Sequence, residues 1–148
     1  MPLILNCFFT GAKVFFVMYS NNFTYSKKER LCSSGAISLL FEKGNSFHYG
    51  PFTLLWMQGQ DEQIYPALTA IIVGKKSVKK AVQRNRVKRL LREAWRKNKN
   101  ILYNRLEQLD MKISIVIIYT GHIEPGYTDL ESRMKSLLQK FSLHLNPA

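Results

Sequence analysis

Residues 75–99 read KKSVKKAVQRNRVKRLLREAWRKNK. Twelve of them are Lys or Arg and one, Glu93, is acidic, so this stretch carries +11 of the chain's formal net charge of +12. At about 100° per residue, Val87, Leu90, Leu91, Ala94 and Trp95 share one arc of a helix, while Arg84, Lys88, Arg92 and Arg96 climb beside it at i, i+4 spacing. Asn85 and Arg89 extend that ridge on its far side. Ser77 is the expected N-cap, and Asn98 with Asn100 the expected end. Stacked like charges cost about 0.2–0.5 kcal/mol per i, i+4 pair in an isolated helix, so the ridge is unfavourable until an anion lies along it.

A charge this localised points to a polyphosphate, and nucleic acid is the favoured partner. A merely solvated face would mix acids among its bases. A helix lying on a membrane surface, or a calmodulin-type target, would not carry so many Arg for so modest an apolar arc.

The remaining composition is that of an ordinary globular protein: 148 residues, 46% hydrophobic and 22% charged, the length of one domain. Two cysteines, Cys7 and Cys32, make neither a disulfide framework nor a metal-ligand spacing and read as small reduced core residues of an intracellular protein. The opening residues, MPLILNCFFTGAKVFFVMYSNN, are apolar but interrupted by Asn6, Thr10, Gly11 and Lys13, which fits neither a secretory signal nor a membrane span. Residues 1–22 are therefore expected to be an extension outside the fold, with Met18 as the biological start and one domain over 23–145. The expected location is the cytoplasm, with no membrane partner and no obligate protein partner.

In order along the chain, Ser33 or Ser34 can cap a helix through Ile37, Leu39, Leu40 and Phe41 that Gly44 ends as a left-handed C′ residue. Ser46–Tyr49, Phe52–Met57 and Ala67–Val73 read as strands, with the polar 58–65 segment as a hairpin connection. Ile101–Leu109 extends or follows the basic helix. Lys112–Tyr119 is the strongest strand, Gly121–Gly126 a loop, and Thr128-x-x-Glu131 a capping box that starts a last helix. The order α-β-β-β-α-β-α predicts an α/β fold, an α+β two-layer sandwich on one central mixed sheet.

The run Ala81 to Ala94, with its Arg84-Asn85-Arg86, Lys88-Arg89 and Arg92-Glu93-Ala94, resembles the signature helix of the protein component of bacterial ribonuclease P. Gly74-Lys75-Lys76 is similar to the Ser-Lys-Lys that precedes it in that family, although four residues, Ser77 to Lys80, follow here where three with a Gly are common. Arg30-Leu31 and Phe41 to Gly44 resemble the family's first helix, and the likeness spans roughly Phe23 to Phe141. The resemblance implies a β-α-β crossover of the rare left hand, where the generic rule favours the right.

No catalytic constellation is legible. His48, His122 and His144 lie far apart, there is no Gly-rich phosphate loop, and Asp129 and Glu131 sit where a helix dipole already explains them. What the resemblance implies agrees: the chain is the accessory protein subunit of a ribonucleoprotein endonuclease that removes the 5′ leader of precursor tRNA. Catalysis and magnesium then belong to the RNA subunit, and the protein binds no cofactor alone. Its partners are that catalytic RNA, facing Lys75, Lys76, Lys80, Arg84, Asn85, Arg86, Lys88, Arg89, Arg92 and Arg96, and the precursor tRNA. The leader is expected in a cleft between the first helix and the sheet, stacked on Phe41, Phe52 and Trp56 with Phe23 and Tyr25 at the rim. Ile37 and Leu55 stand where the family commonly has aromatics. The alternative is a non-catalytic, ribosomal-protein-like RNA-binding module without a leader cleft; a helix-based DNA-binding regulator lacks its helix-turn-helix pattern here.

Overall fold

The computed structural model describes residues 24–121 and 126–145. The 1–22 extension, Met18 as start, Phe23 and the centre of the loop after the last strand lie outside them. Within them, strands β1 (Asn45–Tyr49), β2 (Phe52–Gln58), β3 (Ala67–Val73) and β4 (Ile113–Tyr119) form one mixed sheet in the order β1-β2-β4-β3. Helices α1 (Ser34–Lys43), α2 (Ala81–Gln108) and α3 (Tyr127–His144) complete an α+β fold, preceded by a 3-10 turn at Lys27–Glu29.

β1 and β2 are a hairpin with Tyr49 opposite Phe52, and its turn places Gly50 at φ 53°, a conformation glycine adopts without strain. The 58–65 segment is not a hairpin connection as its polarity predicts. β4 inserts between β2 and β3, pairing antiparallel with one (Trp56 opposite Ile115) and parallel with the other (Ile71 opposite Ile117). The segment is held by that later strand: Gly59 N–H donates to Lys112 O, and Gln63 Nε2 donates to Ile113 O at 3.0 Å and Tyr65 O at 2.8 Å.

Side chains alternate across the sheet, so each strand feeds two cores. One face carries Phe52, Leu54, Ile71, Ile113, Ile115 and Ile117 against Val87, Leu91, Trp95 and Leu102 of α2 and Met134, Leu137 and Phe141 of α3. Among the described residues the other is covered by α1, where Leu31, Leu40 and Val116 are buried beside half-buried Ile37, Leu55, Met57, Ala70 and Ile72; Cys32, whose neighbour Leu31 turns inward, is exposed and not a core residue as expected. β3 leads through α2 to its parallel neighbour β4, so the basic helix is the crossover.

Helix ends depart from the expected ones for local reasons. Ser33 does cap α1, its hydroxyl accepting from Ala36 N–H at 3.3 Å. Gly44 ends α1 in an extended conformation, φ −69° and ψ 149°, instead of the left-handed one; glycine is needed because a Cβ would run into the Leu40 carbonyl oxygen. Ser77 is not the cap of α2. It closes a turn with its N–H on Gly74 O, Val78 is buried behind it, and the helix starts at Ala81 after Lys80. Asn98 does not end the helix either: its amide folds back onto Ala94 O at 2.9 Å, and buried Leu102, Tyr103 and Leu106 prolong the apolar arc to Gln108. Thr128 lies inside α3, which Gly126 precedes, so no capping box forms; Asp129 instead takes Arg133 at 2.9 Å.

Candidate nucleic-acid interface

Burial of Val87, Leu91, Ala94 and Trp95 turns the opposite side of α2 outward, and Asn85, Arg86, Arg89 and Arg92 are exposed on it. Lys75, Lys76 and Lys80 stand exposed in the turns before the helix. The i, i+4 ridge does not stay on one face, because four residues advance about 400° and each step drifts roughly 40° around the axis. Arg84 and Lys88 consequently lie half-buried at the border of the core. The Arg84 guanidinium is tied to the carbonyls of Val78, at 3.1 Å, and Lys79, at 2.7 Å, so it shapes the entry to the helix. Arg96 clasps Glu93 through Nε and Nη2 at 2.9 and 2.5 Å, and this hydrogen-bonded guanidinium holds the Glu93 carboxyl below the usual carboxylate range. The strongest outward cations are thus Arg86, Arg89 and Arg92 with the lysines of the preceding turns.

Lys99, inside the basic run, is not on this surface at all. Its side chain is 5% exposed and pairs with Glu29, 2% exposed, at 2.5 Å. It also donates to Thr24 O, while Tyr103 Oη donates to the same Glu29 carboxylate at 2.8 Å. A helical wheel marks this position as bordering the apolar arc, but the acid that completes the pair is seventy residues away.

The α1 side differs from the expected leader cleft. Phe41 is 54% exposed on α1 and available to a base. Phe52 is 1% exposed on the opposite face of the sheet, with the Tyr119 ring at 5.8 Å, and Trp56 packs there edge-on to Phe141, also at 5.8 Å. These two aromatics belong to the α2–α3 core and do not line the cleft. The residues β2 turns toward α1 are Leu55 and Met57, next to Ile37 of α1 and Ala70 and Ile72 of β3, an aliphatic surface. Tyr25 is half-buried, its phenol donating to Thr69 O at 2.7 Å, and burial pushes its pKa up to about 12. Phe23 is outside the described residues. Among the described residues no group of three or more His, Cys, Asp or Glu is placed to hold a metal ion, and no helix is long and apolar enough to cross a membrane.

A mixed four-stranded sheet that displays one long guanidinium-rich helix on its crossover defines an α+β protein with a surface suited to a polyanion. The family model described as ribonuclease P matches residues 25–142, and the chain belongs to the ribonuclease P protein family. It is 33% identical over 118 residues to the ribonuclease P protein component of Porphyromonas gingivalis, covering 79% of this chain and 86% of that one. It is 40% identical over 113 residues to that of Chlorobaculum tepidum, covering 70% and 73%. The solved RNase P protein of Staphylococcus aureus superposes with a TM-score of 0.60 at 19% identity, over 76% of this chain and 94% of that one. That of Thermotoga maritima gives 0.59 at 23%, over 75% and 96%. Both share the fold.

Proposed function

We propose that the chain is the accessory protein subunit of a cytoplasmic ribonuclease P, binding its catalytic RNA and the 5′ leader of precursor tRNA. The observation that carries this reading is the outward face of α2, where Arg86, Arg89 and Arg92 project from a rigid helix anchored to the sheet through Val87, Leu91 and Trp95. Guanidinium groups match phosphate oxygens two at a time, and each phosphate neutralised releases counterions. Magnesium, bound by the RNA subunit, would supply the activated water, and the part assigned to this chain is to bind and orient the RNA. Cations of α2 laid between two polyanions weaken their repulsion, which lowers the magnesium needed to bring them together. The leader lies along the groove between α1 and the sheet. There Ile37, Leu55 and Met57 offer apolar contact and Phe41 a stacking face, a surface tolerant of sequence because every base has a π-face.

Precursor-tRNA cleavage at low magnesium tests this, with the RNA subunit alone, the protein alone, and both. Cleavage should need both components. The pair Arg86→Ala, Arg89→Ala should flatten the dependence of log K on log salt for the RNA subunit by about 1.4–1.8 and return cleavage toward the RNA-alone rate. A protein that gives no help, or that cuts by itself, refutes the reading.

A further inference from the structure

The dipeptide Arg30-Leu31 sits on the outer edge of β3. Arg30 forms a parallel bridge with Thr69, and Leu31 N–H donates to the Thr69 carbonyl at 3.0 Å. Extended backbone sends neighbouring side chains to opposite faces. Leu31 enters the α1 cluster, and Arg30 lies over the Tyr25 ring, its guanidinium carbon 5.1 Å from the ring centre. The ring cannot swing away, because its phenol donates to the same Thr69 carbonyl at 2.7 Å. Tyr25 thus holds Arg30 by its face while its own hydroxyl is fixed to the sheet edge. The carboxylate that reaches the same ring, Glu29, is already taken by Lys99 and Tyr103 in the core. Arg30 itself remains exposed, held in one orientation by a flat aromatic platform.

We propose that Arg30, stacked on Tyr25 at the outer edge of β3, binds an RNA phosphodiester and carries the cationic interface of α2 across that edge toward the α1 groove. The chemistry is that of a fixed fork on a planar support, which gives a phosphate oxygen pair a preset partner. The phosphate can come from the RNA subunit or from the precursor's leader, since this edge separates the two surfaces. The inference rests on the subunit reading above.

Arg30→Gln and Arg30→Lys, both checked for wild-type thermal melting, are titrated across a potassium chloride series. One arm uses the RNA subunit alone; the others use assembled holoenzyme with precursor tRNA bearing or lacking its leader. Arg30→Gln should flatten the slope of log K against log salt by about 0.7–0.9 for the RNA whose phosphate it holds, and Arg30→Lys should keep the slope. A change with the RNA subunit alone assigns the phosphate to it, and a change only with leader-bearing precursor assigns it to the leader. Unchanged slopes in every arm, while the wild-type protein still stimulates cleavage, overturn the proposal and leave the subunit reading intact. Weaker binding without a slope change marks a structural effect and overturns it too. Failure of the wild-type protein to bind the RNA subunit overturns both readings.

Discussion

Glu29→Gln leaves an ammonium group in the core without its counter-charge. The side chains of Lys99 and Glu29 are 5% and 2% exposed and meet at 2.5 Å, so water cannot take over either role. Removing one partner of such a pair costs about 3–5 kcal/mol, because the charge left behind must be desolvated unaided. For a chain of this size each kcal/mol shifts the melting midpoint by roughly 2–4 °C, so the variant should melt ~6–20 °C below wild type. Removing both charges is a different perturbation. Glu29→Leu with Lys99→Met keeps apolar bulk and leaves Tyr103 Oη its second acceptor, Ala67 O at 3.3 Å. That double variant should recover most of the loss, to within about 2 kcal/mol of wild type. It should also bind the RNA subunit with an unchanged salt slope, since Lys99 faces the core. Calorimetric melting and a salt titration decide the matter: a Glu29→Gln midpoint within ~2 °C of wild type refutes the buried-pair reasoning. A slope flattened by nearly one in the double variant would place Lys99 on the RNA instead.

Phe52→Ala should cost about 3–5 kcal/mol in urea denaturation, as expected for a large core side chain, without weakening leader binding by the folded fraction. Phe41→Ala should move stability by no more than ~0.5 kcal/mol yet weaken binding of leader-bearing precursor by about 1–3 kcal/mol; the reverse pattern would return Phe52 to the cleft. Burial raises the Tyr25 phenol to about 12, above the value near 10 that it takes in an unfolded chain. Its contribution is therefore intact below pH ~10 and lost as pH rises from there through 12. Tyr25→Phe should lose about 1 kcal/mol at neutral pH with the Thr69 hydrogen bond and show a shallower alkaline decline, and parallel curves for the two proteins would count against that assignment.

The basic helix was legible because its signal is local. Charge density in residues 75–99 and the buried positions Val87, Leu91, Ala94 and Trp95 are properties of one helix, but of the ridge its spacing implies only Arg92, with Asn85 and Arg89 beside it, is exposed, while Arg84, Lys88 and Arg96 are half-buried. Phe52 and Trp56 show where local reasoning stops. Alternation correctly puts them on one face, but both faces of this sheet are covered by helices, and nothing within β2 says which helix each face meets. Arg30 was visible as part of a pair with Leu31, and only the bridge to Thr69 shows that it lies along the outer edge of β3.

The order of elements, their periodicities and the concentration of charge in one helix follow from the chain read by itself, because each depends on residues within a few turns of one another. The strand order β1-β2-β4-β3, the side of the sheet that α1 occupies, the burial of Lys99 against Glu29 and the stacking of Arg30 on Tyr25 belong to the tertiary structure. They are set by contacts between segments tens of residues apart, where the gain from burying apolar area is shared by the whole core and leaves no periodic trace in any one segment.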